Sequence, residues 1–319
     1  MLVVSGDQVH RICAWVDLVA ALREAHRGER PLITRASLEA ERGGVTHTYF
    51  NLPAFLPGVA MGTKIATILP DNPVRHPGLP SIQALYALFD GENGTPAAVI
   101  EGTALTYRKT AADSALGSQL LSREDSRVLL MVGAGGLAPH LARAHLAIRP
   151  ALRKVLVWNR TGGRAETMAS ELRAEGVDAV ATSDLDGAVA QADILSCSTA
   201  AREPLVRGAL LRPGAHLDLV GGYTPAMREC DDAAVRRARL FIDEASINLD
   251  QCGDLIDPIG RGVLTRTKIE GDLYDLCRGH GVNRRDEEIT LFKNGGGGHL
   301  DLFTALFILE RLRDGNEHG

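Results

Sequence analysis

From residue 127 onward, short apolar runs alternate with stretches whose apolar positions recur at helical spacing. The runs are RVLLMVGAG, KVLVWNR, VDAVAT, ADILSCST, HLDLVGG and ARLFIDE. The segments between them, 137–149, 163–175, 184–191, 205–211 and 231–238, predict helices. Strands alternating with helices of this length imply βαβ units, a parallel sheet and right-handed crossovers.

Upstream the texture differs. Ile12, Trp15, Val16, Val19, Ala20 and Leu22 lie at helical spacing and predict a helix over 12–27. Short strand-like runs follow at 31–33, 45–50, 63–69 and 97–101, punctuated by Gly and Pro. FDGENGTP forms a turn, so 85–101 predicts a hairpin. Residues 106–121 predict a helix, and 299–313, after a Gly-rich break, predict another that packs back on the first domain. The expected organisation is a strand-rich domain from 1–124 and 297–319, interrupted by a parallel α/β domain over 125–296.

A length of 319 residues fits two domains. With 45% hydrophobic residues the chain can build a real core, and a net charge of −5 with no basic run argues against nucleic acid. No apolar stretch is long enough to predict a membrane span. The start, MLVVSGDQVHRICAWVDLVAAL, has no basic region before its apolar residues and no clear cleavage site, so a cytoplasmic protein is expected. Cys13, Cys197, Cys230, Cys252 and Cys277 are scattered without a CxxC pair. That argues against a disulfide framework and a zinc cluster, and no metal is expected.

The sharpest chemical signal is VLLMVGAGGLA, in which Gly133, Gly135 and Ala138 fill G-x-G-x-x-A between a strand and a helix. Gly133 permits the tight turn, Gly135 lets a pyrophosphate approach, and Ala138 lets helix and strand pack closely. Ala134, Gly136 and Leu137 complete the loop, whose helix end presents free N–H groups to phosphates. A Gly-rich turn without a ligand is the plain alternative; four further alternating units behind it favour a dinucleotide and a Rossmann-type doubly wound sheet. Asn159, Arg160 and Thr161 end the second strand, with Arg164 beyond. An NAD site would carry Asp or Glu there, whereas Arg accommodates a 2′-phosphate. NADP(H) is therefore preferred, with NAD(H) possible. Ser198 with Thr199, and Val220 with Gly221 and Gly222, occupy two more carboxyl-end loops, where ligands collect in this fold. Either could also be an ordinary turn.

The substrate must be held elsewhere. Lys64 lies inside an apolar strand, which is costly unless its ammonium is paired. Arg108 stands at the start of a helix beside Lys109, and Arg35 ends a strand. Such cations can converge on a small carboxylate, with Arg binding bidentately; each could also be a surface cation. His140 and His145 read as helix residues, while His299 follows four glycines and is a candidate near the nicotinamide.

GTKIATILPDN, LTYRKTAADSALGSQLLSR, VGAGGLAPH, ADILSCSTAAREPLV, PGAHLDLVGGYTPAMREC and FKNGGGGHLDL, in this order, resemble the ornithine cyclodeaminase/mu-crystallin family. The resemblance implies a homodimer with a strand-rich α+β substrate and dimerisation domain. It implies that Lys64 and Arg108, with Arg35, hold the substrate carboxylate, and that the 295–298 loop, Gly297 included, with Asp301 after it, lies near the nicotinamide. Cyclodeaminases of the family resemble G-G-D where this chain has Gly221, Gly222 and Tyr223. Tyr223 supplies no negative charge near neutral pH, so the chain is more similar to the imine-reducing branch. That implies NADPH-dependent reduction of Δ1-pyrroline-2-carboxylate or Δ1-piperideine-2-carboxylate to L-proline or L-pipecolate, with Lys64, a water or Tyr223 governing the proton. The alternatives are an ornithine or lysine cyclodeaminase or alanine-type dehydrogenase, and a non-catalytic, crystallin-like NADP-binding protein.

Overall fold

The computed structural model describes residues 1–280 and 283–316. The chain divides into two compact units, Met1–Lys109 with Gly297–Gly319, and Thr110–Gly296. The first boundary thus comes at 109 rather than 124, inside a long helix.

The first unit contains strands β1 (Leu2–Val4), β2 (Leu32–Ile33), β3 (Ala36–Arg42), β4 (Val45–Leu56), β5 (Ala60–Ile68), β6 (Ile82–Asp90) and β7 (Pro96–Glu101). Its helices are α1 (Gly6–Ile12), α2 (Trp15–Ala25) and α3 (Asn72–Arg75), and it ends within α4 (Gly102–Leu121). The sheet order is β1-β7-β6-β5-β4-β2, with β3 also pairing β4. Every pair is antiparallel except β1 with β7. Along β5, Ala60, Gly62, Lys64 and Ala66 are buried, the period-two pattern of a strand with one face covered.

The helix expected over 12–27 is present as α2, Trp15–Ala25, and a second helix, α1, precedes it. A Ser5–Gln8 capping box starts α1, the chain turns at Cys13 and Ala14, and α2 begins at Trp15. The carbonyl of Cys13, released by the break, accepts a hydrogen bond from Arg108, so the interruption is satisfied by a side chain.

The second unit contains β8 (Val128–Val132), β9 (Lys154–Trp158), β10 (Asp178–Ala181), β11 (Ile194–Cys197), β12 (His216–Leu219), β13 (Arg239–Ile242), β14 (Ile269–Asp272) and β15 (Thr290–Lys293). Between them run α5 (Ala138–Ile148), α6 (Gly162–Ala174), α7 (Leu185–Gln191), α8 (Asp232–Arg237), α9 (Ala245–Gln251), α10 (Gly253–Gly260) and α11 (Leu273–Cys277). α12 (Gly298–Asn316) returns to the first unit and packs on β4, β5 and α2. All pairs of the second sheet are parallel, in the order β10-β9-β8-β11-β12-β15-β13-β14. This is the α/β class expected from the alternation, with β14 and β15 added. Its core includes Leu130, Val132, Leu195, Leu217, Leu219, Leu240 and Leu291.

The helix expected over 205–211 is absent except for a single 3₁₀ turn at Gly208–Leu210. Leu205 and Val206 donate to the carbonyl of Glu229, and Val206 bridges Cys230. These bonds hold the segment extended against its neighbour. Among the described residues no helix is long and apolar enough to cross a membrane, and all five cysteines are buried.

Candidate dinucleotide and substrate sites

The second unit builds a cavity at the carboxyl ends of its strands. Gly133 leaves β8 with φ +108°, a conformation costly for any residue with a Cβ. Its N–H donates to Trp158 O at 2.8 Å, and a Cβ there would lie 2.8 Å from Ser198 O. The Ala134 N–H donates to Asn159 Oδ1 at 3.1 Å, which ties the Gly-rich loop to the end of β9. Nothing lies within 4 Å of where a Cβ on Gly135 would be; that open space is what a pyrophosphate needs. Gly133, Ala134, Gly135, Asn159, Arg160, Thr161, Arg164, Ser198 and Thr199 all line one cavity of about 380 Å³. Trp158, Ala200, Ala201 and Leu205 complete it; they are the cavity residues that the motif alone did not indicate. Two arginines and no carboxylate line this cavity, a donor set suited to a phosphate on the adenosine ribose.

Gly136 follows in the same loop, Leu137 caps α5, and Ala138 is buried at its first position. Val220, Gly221 and Gly222 follow β12. Here the backbone runs over a buried ion pair: Lys293 Nζ lies 3.1 Å from Asp254 Oδ2, and a Cβ on Gly222 would fall 2.0 Å from that same oxygen. Any larger residue at 222 would have to displace the Asp254 carboxylate from its pairing with Lys293. Tyr223 is exposed and its N–H donates to Gly221 O at 2.9 Å.

The first unit builds a charged cluster of its own side chains. Lys64, on the covered face of β5, points its ammonium at Asp301 on α12, with Nζ 3.1 Å from Oδ2 and 3.3 Å from Oδ1. Lys109 approaches the same carboxylate, its Nζ 3.9 Å from Oδ1 and 3.4 Å from the carbonyl of Gly297. All three side chains are buried. Burial lowers Lys64 to about 8 against the pull of Asp301, and the charge of Lys109 adds to the lowering. On the same strand face, the fully buried Tyr86 hydroxyl has no protein partner among the described residues. It sits over Gly62, where a Cβ would come within 2.3 Å of it.

Arg108 is placed elsewhere. Its Nε donates to His10 Nδ1 at 3.0 Å, Nη1 to Cys13 O at 3.1 Å and Nη2 to His10 O at 2.9 Å. The guanidinium also stacks 4.0 Å from the Trp15 ring centroid. Consecutive helix positions differ by about 100°, so Arg108 faces α1 and α2 while Lys109 faces Asp301. Arg35 is exposed, its guanidinium 5.5 Å from the Phe50 ring centroid. His299 does not line the dinucleotide cavity. It is buried in the first unit, where its ring meets His26 at 5.7 Å and Phe303 at 6.1 Å between centroids.

The model of the ornithine cyclodeaminase/mu-crystallin family matches residues 9–316. The chain belongs to that family. It is 43% identical over 305 residues to the Δ1-pyrroline-2-carboxylate reductase of Paracoccus denitrificans, covering 95% of this chain and 94% of the relative. The solved structure of Thermococcus litoralis Δ1-pyrroline-2-carboxylate reductase in complex with NADH and L-proline matches with a TM-score of 0.91 at 28% identity, over 99% of this chain and 98% of that one. The iminosuccinate reductase of Paracoccus denitrificans in complex with NAD+ matches with a TM-score of 0.87 at 26% identity, over 99% and 97%.

For a member of this family, the loop after β12 is informative. Where the resemblance placed an acidic residue in cyclodeaminases, this chain has Tyr223, which is exposed and carries no carboxylate. Two acids border this turn, and both are fully buried. Glu229 accepts the N–H groups of Gly221 and Thr199, and Asp254 is paired with Lys293 and accepts the N–H of Glu229. Their oxygens are committed within the protein, so neither is a free acceptor for a substrate ammonium.

Proposed function

We propose that this NAD(P)H-dependent oxidoreductase of the ornithine cyclodeaminase/mu-crystallin family reduces a cyclic imino acid, Δ1-pyrroline-2-carboxylate or Δ1-piperideine-2-carboxylate, to L-proline or L-pipecolate, with NADPH preferred over NADH. The observation that carries the reading is the buried cluster of Lys64 and Lys109 around a single carboxylate. Two ammonium groups against one Asp301 leave a positive charge uncompensated, and a buried charge without a partner is costly. A substrate carboxylate supplies that partner. The Gly221-Gly222-Tyr223 turn, which offers no carboxylate to an ammonium, favours a ring imine over an amine, and the named reductase relatives support the same choice.

The reduced dinucleotide, when bound, supplies a hydride for the imine carbon. The protein's own work is threefold. Lys64 and Lys109 hold the substrate carboxylate and so fix which atom is presented. Asp301 keeps Lys64 charged and oriented. Lys64, with a pKa lowered to about 8, can also return a proton to the ring nitrogen, which leaves a secondary amine after reduction. Arg160 and Arg164, with Thr161, provide the donors for a 2′-phosphate. The working assembly is a homodimer.

The test is NADPH oxidation at 340 nm with Δ1-pyrroline-2-carboxylate, run in parallel with NADH and with L-ornithine plus NAD+. Turnover of the imine with NADPH favoured is the expected result. Ammonia release from L-ornithine without imine turnover would replace this reading with cyclodeamination.

A further inference from the structure

Glu229 is fully buried between β12 and α8 and does not line the dinucleotide cavity. Yet its carboxylate touches loops that do or that flank it. Oε1 accepts the Thr199 N–H at 2.7 Å and the Thr199 hydroxyl at 2.8 Å. Oε2 accepts the Gly221 N–H at 2.6 Å. Its own N–H donates to Asp254 Oδ1 at 2.7 Å, and its carbonyl takes the N–H groups of Leu205 and Val206 at 3.0 and 2.9 Å. The loops it joins have no slack, since a Cβ on Gly221 would lie 1.9 Å from Thr199 O.

A tie of this kind needs an acceptor and nothing else. An ionised carboxylate only accepts, so it can take all three donors; a protonated carboxyl or an amide presents a donor of its own to one of them. Burying that charge is costly, and the fold offsets part of the cost with Lys293, which lies behind Asp254. The sequence gives no hint of this, because Glu229 sits in an irregular segment, TPAMREC.

We infer that Glu229 is a positioning residue for the dinucleotide: as a carboxylate it clamps Thr199 to Gly221 and thereby sets the wall of the cavity that Ser198 and Thr199 form. The inference rests on the reading of that cavity as the dinucleotide site. The ionisable groups facing Glu229 are Asp254 from α10, Lys293 from β15, Cys197 from β11 and Cys230 beside it. Burial, then Asp254, raise Glu229 to about 7 against the pull of Lys293. Below that pH the clamp takes up a proton and one donor loses its acceptor, so affinity falls with acidity.

The experiment is calorimetric titration of the full chain with NADH and with NADPH between pH 6 and pH 9, for the wild type and Glu229→Gln, with thermal melts of both. NADH is included because it lacks the titrating 2′-phosphate. For the wild type, the Kd for NADH is expected to weaken about tenfold from pH 8 to pH 6, as expected for one proton. Glu229→Gln is expected to fold, to bind about tenfold more weakly at pH 8, and to lose the acid limb. Tight wild-type binding that does not change over this range overturns the clamp while leaving the cofactor site intact, and needs no variant. So does a folded Glu229→Gln protein that binds as the wild type does at every pH. Failure of the wild type to bind either dinucleotide overturns the cofactor reading and the clamp with it.

Discussion

Lys109 and Arg108 are neighbours with opposite employments, and this is where a single substitution separates two readings. Arg108 spends its guanidinium on His10, the Cys13 carbonyl and Trp15, so it holds the junction of α1 and α2. Lys109 faces Asp301. If Lys109 and Lys64 hold the substrate carboxylate, Lys109→Ala removes a charge-assisted hydrogen bond worth about 1.5–3 kcal/mol. The expected result is a KM for Δ1-pyrroline-2-carboxylate raised roughly tenfold to a hundredfold, with Lys109→Arg retaining most activity. Arg108→Ala is expected to lower the melting temperature and leave KM nearly unchanged. The opposite pattern would return the carboxylate to Arg108. Lys64 sets a pH limit of the same kind. Its ammonium is needed in the charged form, and that form is lost as pH rises through about 8. With substrate well below KM, kcat/KM therefore falls above about pH 8. Lys64→Arg keeps a charge throughout the range, so its profile should stay flat there; a wild-type profile level to pH 10 would remove Lys64 from the role.

At the scale of elements, the turn from β8 to α5 separates folding from binding within three residues. Gly133 is held at positive φ against Ser198 O, whereas the space over Gly135 is open. Gly135→Val should fold with a melting temperature close to wild type and lose dinucleotide binding, because its side chain fills the phosphate cradle. Gly133→Val should lose stability by about 1–3 kcal/mol or more from backbone strain and the contact with Ser198; equal melting temperatures for the two variants would refute the distinction. This turn was legible in the sequence because strand, glycines and helix follow in one continuous run, and the alternation after it gave the parallel sheet. Other elements were not legible, for identifiable reasons. β15 is only four residues, ends in a lysine and follows a polar stretch, yet it sits between β12 and β13 because Asp254 neutralises Lys293. The 205–211 segment has helical spacing, and long-range bonds to Glu229 and Cys230 override it. In α4 helical phase could not separate the two cations, because the stripe of Leu105, Ala112 and Leu116 that contains Lys109 and the stripe of Ala104, Ala111 and Ala115 that contains Arg108 are both buried.

For the whole molecule the open question of assembly turns on one face of the first sheet. On β5 the covered face carries Lys64, so the intervening residues point the other way, and the strand registers extend that outer face across the sheet. Leu38 pairs with Tyr49, Ile65 with Leu85, and Met61 stands between Phe55 and Phe89. Leu38, Tyr49, Phe55 and Leu85 are exposed, Leu38 to 71%. Contiguous exposed apolar surface of this kind marks an interaction site. Strand addition at the edge is opposed by β3, which is exposed along its length and carries Glu39, Glu41 and Arg42. Association through the face is left, and two copies meeting through it would cover the apolar residues of both, consistent with the homodimer proposed above. Light scattering coupled to size exclusion should give about twice the 34.1 kDa chain mass. Leu38→Glu combined with Leu85→Arg should give a folded monomer, because neither side chain supports the core of the unit. A wild-type monomer at micromolar concentration would sink the dimer itself. A variant that stays dimeric would move the interface away from this face, while the charges buried behind it, Lys64, Lys109 and Asp301, would keep the role argued for them.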